Sequence, residues 1–341
     1  MNIGYALNRL IAGGSLREKE AGALMGLIMS GEVTPAQLGA LLTALRIRGE
    51  RVMELVGFVR EMRARAVKVP TESKDLVDTC GTGGDRVKTF NLSTAAAFMA
   101  SAAGARVAKH GNRAFTSRCG SADVLEALGL NLNLSPERAG QILDTLGVVF
   151  LFAPLYHPAM KHVAPVRKEI GFRTVFNILG PLCNPAGVRR QVLGVYEPAL
   201  VSKLSRVLAR LGSERAIVAY AEPGLDEISP EGLTEVAILT EGRVTRRTLH
   251  PGDFGISPIP LEAILARGTP EENGKVLIEA LEDVTSPYCQ AAIPTASATL
   301  WVAGLTDSFL EGAERVKSAI KEGLALQKLT ELIRMSQEGR A

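Results

Sequence analysis

The sequence predicts an α/β protein in two parts: a small all-helical N-terminal domain over residues 1–70, then a larger α/β domain over residues 71–341. The larger domain is expected to hold a mostly parallel central sheet flanked by helices. Three observations predict this. Residues 5–67 keep apolar side chains at three- and four-residue spacing (Leu24, Leu27, Ile28; Leu38, Leu41, Leu42, Leu45). From residue 75 the pattern changes to short apolar runs alternating with helical stretches. The chain of 341 residues also carries 34 glycines and one tryptophan, a usage suited to tight turns between strands and helices.

Taken in order, the helical part contains a helix that starts at Thr34 as N-cap with Pro35 at the first position and ends near Gly49. The basic stretch RARAVKVP then leads to the strands, read as DLVD, RVAKH, VVFLFAP, QVLGVY, RAIVAY and VAIL. Helices are expected between them at 93–103, 121–129, 135–147, 158–170 and 198–211, with several closing helices over 287–337. A parallel sheet covered on both faces leaves its ligand chemistry to loops beyond the strand ends. No internal repeat or low-complexity tract interrupts the chain.

Composition narrows the function classes. Apolar residues at 46% and charged residues at 22% describe a chain that folds throughout, with enough length for about two cores. A net charge of +3 is too weak a field for nucleic acid as the main partner, although a local anion pocket is compatible with it. Cys80, Cys119, Cys183 and Cys289 form no CxxC pair, which argues against a zinc cluster or a disulfide framework and for a reducing, cytoplasmic setting. The longest apolar stretches, such as Val148 to Pro154, fall well short of the ~18 residues that span a bilayer, and no export leader is expected.

Four motifs carry chemistry. In DTCGTGGDRVKTFNLST, Asp78 to Thr94, a strand ends in a turn with Gly81, Gly83 and Gly84 and an alanine-rich helix begins near Ser93. Glycines let backbone amides approach an anion, and the helix start adds aligned N–H donors, so phosphate or pyrophosphate is the expected guest. The spacing is neither a Walker A loop nor a Rossmann fingerprint, and a plain strand-to-helix connection stays open as a reading. In KHGNRAFTSRCGSADVLEALG, Lys109 to Gly129, cations and hydroxyls crowd a loop that could wrap a phosphate, against the alternative of a solvated basic turn capped by Ser121. GLDEIS places Asp226 and Glu227 just past a predicted strand, where paired carboxylates could bind Mg²⁺ or simply form a solvated turn. The segment His157 to Pro185 offers the Arg167 guanidinium to a carboxylate, with Gly180-Pro181 and Asn184-Pro185 as a stiff loop; His157 and His162 read as helix-surface histidines without a role.

Together, DTCGTGGD, FNLST, VAKHGNR, GSADVLEALG, HPAMKHVAPVRKEIGFRTVFNILGPLCNP and GLDEIS closely resemble the anthranilate phosphoribosyltransferase family over nearly the whole chain. The resemblance implies transfer of phosphoribose from 5-phosphoribosyl-1-pyrophosphate to the amine of anthranilate, release of pyrophosphate, tryptophan biosynthesis, and help from two Mg²⁺ ions. It implies that Gly81, Gly84, Asp85, Thr89, Asn91, Leu92, Ser93 and Thr94 contact the donor. Lys109, His110, Gly111, Asn112, Arg113, Ala114, Phe115, Thr116 and Ser117, with Ser121, would join them. Gly81, Asn112 and Arg167 would meet anthranilate, Ser93 and Glu227 one Mg²⁺, and Asp226 and Glu227 the other. It further implies a homodimer formed through the helical domain, with residues 155–185 associated with the hinge.

Two departures touch the donor loops: Arg86 stands where the family has glycine, and Thr116, Arg118 and Cys119 vary a serine/lysine-rich segment. Two rival readings are a pyrimidine nucleoside phosphorylase, whose KHSTGG signature is missing, and a nucleic-acid-binding relative of the same fold, which the low net charge and the intact GLDE motif disfavour. No general base is assigned, because an aromatic amine is already an unprotonated nucleophile near neutral pH and positioning suffices.

Overall fold

Capping chemistry sets the first helices. Asn2 accepts the Gly4 N–H at 2.8 Å and starts α1 (Ile3–Ile11), which is followed by α2 (Glu18–Met29). Thr34 and Gln37 cap each other's backbone at the start of α3 (Pro35–Arg48), and Gly49, with φ of 79°, ends it, as the sequence predicts. The bundle closes with α4 (Val52–Arg65). The computed structural model describes residues 2–83, 87–114 and 119–338.

Strands and helices then alternate: β1 (Leu76–Gly81), α5 (Leu92–Ala102), β2 (Arg106–Gly111), α6 (Ser121–Ala127), α7 (Pro136–Leu146) and β3 (Val148–Phe152). Short helices α8 (Ala153–Tyr156), α9 (Ala164–Ile170) and α10 (Phe176–Leu179) lead to β4 (Arg190–Gly194), α11 (Pro198–Arg210), β5 (Arg215–Ala221), β6 (Thr234–Thr240) and β7 (Arg243–Leu249). Helices α12 (Pro270–Glu282), α13 (Pro287–Ala303), α14 (Phe309–Lys321) and α15 (Leu324–Gln337) complete the described chain.

The seven strands lie in the order β3-β2-β1-β4-β5-β6-β7. Strands β3 to β5 in that order are parallel, while β6 and β7 run antiparallel to their neighbours. The chain moves outward from β1 through β2 to β3 and then returns to β4 on the other side of β1. That reversal opens a crevice at the carboxyl ends of β1 and β4, the usual ligand position in such sheets.

Alternating strand residues feed two cores. Val77, Val107, Val192 and Ile217 face α5 and α13, whereas Leu193, Val195 and Val218 face α11. The second core runs on without a break into Leu24, Leu41 and Phe58 of the helical bundle and into Val166, Phe176 and Leu179. The N-terminal helices are thus packed against the sheet through the 163–183 segment. Among the described residues no helix is long and apolar enough to cross a membrane, and all four cysteines are buried and outside any disulfide.

Three elements differ from the sequence reading. The single helix expected at 158–170 is split into a 3-10 turn, Pro158–His162, and α9, because Pro165 has no N–H to donate and its ring crowds the carbonyl one turn back. Strand β7 escapes an apolar-run search because Arg243, Arg246 and Arg247 stand on a half-paired edge. Its signal lies in the two-residue turn Glu241-Gly242, both at positive φ, which closes a tight hairpin with β6. Helix α12 is announced only by the Thr269–Glu272 capping box and Pro270 at its start.

Candidate active site

The crevice at the strand tips opens into one cavity of about 730 Å³. Gly81, Thr89, Asn91, Leu92, Ser93, Thr94, Lys109, His110, Gly111, Asn112, Arg113, Ala114, Ser121, Arg167, Asp226 and Glu227 all line it. Gly84, Asp85, Phe115, Thr116 and Ser117, named from the sequence for donor contact, lie outside the described residues, as do Arg86 and Arg118.

At one end, β1 runs out into the glycine turn, and the Thr82 N–H still donates to Gly194 O at 3.0 Å, which continues the ladder past the strand end. Helix α5 then starts without a side-chain cap from its own segment. The cap comes from elsewhere: Glu227, on the connection between β5 and β6, accepts the Ser93 N–H at 3.1 Å. A carboxylate suits this position because the first-turn N–H groups carry the positive end of the helix dipole. Its second oxygen meets the Thr295 hydroxyl of α13 at 3.4 Å. Asp226 beside it is almost fully buried and accepts the Gly83 N–H at 2.7 Å; burial raises its carboxyl above the ordinary range.

Asp226, Glu227 and Ser93 supply hard oxygen donors at one wall of the cavity, which fits Mg²⁺, an ion that takes one or two carboxylates and fills its remaining positions with water and phosphate oxygens. The described residues contain no group of three or more His, Cys, Asp or Glu side chains arranged for a metal ion. The substrate would therefore have to complete such a site. A ligand is also called for by two buried polar atoms lining the cavity, Thr94 Oγ1 and His110 Nε2, which have no hydrogen-bond partner among the described residues.

Lys109 is the buried cation of this wall. Its Nζ donates to Thr79 O at 2.7 Å and to Ser93 Oγ at 3.2 Å, which ties β2 to β1 and to the start of α5. Burial lowers its affinity for the proton, and the nearby Asp78 acts against that loss. Asp78 itself is fully buried, accepts Asn184 Nδ2 at 2.9 Å and the His110 N–H at 3.3 Å, and has its carboxyl pushed up to about 6 by desolvation. Arg113 lines the cavity, and its guanidinium grips Glu126 at 2.6 and 2.9 Å and Asp123 at 3.1 Å. Asp123 also accepts the N–H groups of Ala114 and Gly120, at 3.0 and 2.8 Å, and so closes the neck of the second loop.

The opposite end is built differently. Arg167, half-buried on α9, donates to Asn177 Oδ1 at 3.3 Å with its guanidinium 5.8 Å from the Phe176 ring centre, and burial lowers its proton affinity. The Asn177 oxygen also accepts the Thr174 N–H at 2.9 Å, so the turn leading into α10 and the arginine share one anchor. Met62 of α4, Met160 and Cys183 add apolar surface. The reading of His157 as a helix-surface histidine is wrong: it stands between α8 and the 3-10 turn and lines the cavity, where its Nε2 donates to Cys183 O at 3.0 Å and its ring stands 5.2 Å from that of His110. Burial holds His110 at about 3 and His157 at about 4, so both are neutral imidazoles near pH 7. His162, in contrast, is exposed. Met62 and Thr295 lie beyond sequence reasoning, since each joins the site through contacts distant in the chain, and Asn177, ten residues from Arg167, carries no motif of its own.

Two family models match the chain: the helical bundle domain of a glycosyl transferase family over residues 5–66 and the a/b domain of a glycosyl transferase family over residues 73–326. Anthranilate phosphoribosyltransferase of Pelotomaculum thermopropionicum is 48% identical over 328 residues, 96% of this chain and 95% of that protein. The Moorella thermoacetica protein of the same name is 45% identical over 327 residues, 96% of each. Among solved structures, anthranilate phosphoribosyltransferase from Thermus thermophilus superposes with a TM-score of 0.92 at 42% identity, covering 97% of this chain and 99% of that one. The Saccharomyces cerevisiae structure in complex with PRPP and Mg gives 0.88 at 26% identity, covering 98% and 97%.

Proposed function

Because this chain belongs to the anthranilate phosphoribosyltransferases, we propose that the two ends of its cleft divide the two substrates between them. The family reaction moves phosphoribose from 5-phosphoribosyl-1-pyrophosphate to the anthranilate amine, giving N-(5-phosphoribosyl)anthranilate and pyrophosphate, a step of tryptophan biosynthesis. The glycine turn, the start of α5 and Lys109 would take the donor; Arg167, with Asn112 and Gly81, would take the aminobenzoate. What supports this reading above all is that phosphate-type turns, paired acids and a guanidinium line one continuous cavity.

As the C1–pyrophosphate bond breaks, negative charge grows on the leaving group and positive charge on the sugar. Ser93, Asp226 and Glu227 would hold Mg²⁺ at two positions, and the bound ion would supply charge neutralisation at the pyrophosphate. Lys109, held in place by Thr79 O and Ser93 Oγ, adds a fixed positive charge that needs no reorganisation when the bond breaks. Arg167 orients the acceptor through its carboxylate, and the neutral imidazoles of His110 and His157 add no positive charge beside the amine. Positioning of this kind replaces a general base.

We further propose that residues 1–70 form a dimerisation domain, that 155–185 acts at the hinge, and that the protein works in the cytoplasm. The core shared between the bundle and the 163–183 segment supports the hinge, and light scattering tests the dimer. The deciding experiment for function follows the loss of anthranilate fluorescence with the phosphoribosyl donor. Loss that requires Mg²⁺ is expected; no loss with intact donor and metal would overturn the reading.

A further inference from the structure

One position that no motif marks governs where the acid pair points. Gly81 and Gly194 are register partners at the carboxyl tips of β1 and β4, and Asp226 lies across both. A Cβ at Gly81 would stand 2.3 Å from Asp226 Oδ2. A Cβ at Gly194 would stand 1.5 Å from the Asp226 carbonyl oxygen and 2.2 Å from its carbon. Neither glycine has a positive φ, so what these positions require is room and not an unusual backbone.

The two contacts differ in how they could be relieved. A carboxylate can rotate away from a methyl group, whereas a backbone carbonyl must carry its chain with it. Here the chain is pinned: Leu225 is fully buried and exchanges hydrogen bonds with Ala221 at 2.8 and 3.1 Å, and Ile228 is buried on the other side. We propose that Gly194 is a positioning residue for phosphoribosyl transfer, its missing side chain being the slot that seats the Asp226 backbone and aims the Asp226 and Glu227 carboxylates at metal and donor. This rests on the reading of the site given above. Any side chain at 194 drives the connection off the sheet and, with it, breaks the Gly83–Asp226 and Ser93–Glu227 hydrogen bonds that fix both acids.

The test compares Gly194→Ala with Gly232→Ala, a control whose added methyl meets open space. Calorimetric titration with 5-phosphoribosyl-1-pyrophosphate in Mg²⁺, fluorescence titration with anthranilate alone, and thermal melting are run on both. G194A is expected to bind donor with Mg²⁺ at least about tenfold more weakly while anthranilate affinity stays within about twofold, with G232A unchanged in both. Donor binding equal to that of the unmodified protein, or equal loss of both substrates in a folded variant, overturns the proposal. Should G194A fail to fold, one glycine is inserted on each side of residues 224–227 in the same chain, so that the Asp226 carbonyl can back away from position 194: recovered folding supports the clash with Asp226, and continued misfolding overturns it. An unmodified protein without Mg²⁺-dependent donor binding would instead sink the reading of the whole site.

Discussion

The two ends of the cleft are made of different materials. The end at the strand tips consists of backbone amides, two carboxylates and a buried lysine, whose places are set by hydrogen bonds between β1, β2, α5 and the β5–β6 connection. The other end consists of a guanidinium, two neutral imidazoles, methionine and cysteine sulfur and an aromatic ring, gathered from the end of β2, from α4 and from the segment after β3. Charge complementarity governs the first and shape the second, so damage to one end should leave the other largely intact.

The largest effect expected from breaking that contrast is at the acids. Asp226→Ala with Glu227→Ala should lower turnover by about a thousandfold or more, since it removes both carboxylates from the leaving-group end. Anthranilate affinity, measured by fluorescence titration, should change less than about twofold. Next in size, Arg167→Ala should raise the anthranilate KM by about 10- to 100-fold, the scale of one lost charge-assisted hydrogen-bonded contact, with the donor KM nearly unchanged. Equal rises in both constants would erase the proposed division.

A smaller effect sharpens it. Thr295→Val keeps the shape of α13 but removes the hydroxyl that meets Glu227, so the Mg²⁺ concentration for half-maximal rate should rise by about two- to fivefold, with Thr295→Ser restoring it. The smallest is a matter of pH. His110 and His157, at about 3 and about 4, lie below the ~6.5 of an exposed imidazole, so the unfolded chain takes up protons first as pH falls. Their contribution to stability is complete above about pH 6.5 and is lost progressively down towards pH 3–4. Asp78, raised to about 6, works in the opposite sense and loses its contribution as pH rises through that value. The melting temperature of His157→Gln should therefore fall by about a few degrees less than that of the unmodified protein between pH 7 and pH 5.

These ends also differ in how far the sequence reveals them. The donor end was legible because its parts are short and local: glycines beside a strand end, a helix start at Ser93, adjacent acids at 226 and 227. The fold around it was legible for the same reason, as apolar runs mark the buried parallel strands. The acceptor end hides its logic. The break at Pro165 looks, in one dimension, like the middle of a helix, and nothing local shows that His157 lines the cavity. Gly194 and Thr295 act on Asp226 and Glu227 across a sheet and a helix, and no local pattern distinguishes a glycine that makes room from one that makes a turn.

The point at which the sheet changes from parallel to antiparallel has a practical consequence. Strands β5 and β6 are neighbours running in opposite directions, so residues 222–233 leave and re-enter the same side of the sheet with no crossover helix between them. Both ends of that segment are therefore fixed by one hairpin ladder, and the side chains at 226 and 227 could be exchanged to favour another divalent ion with Leu225 and Ile228 left as buried anchors and no helix to dock again.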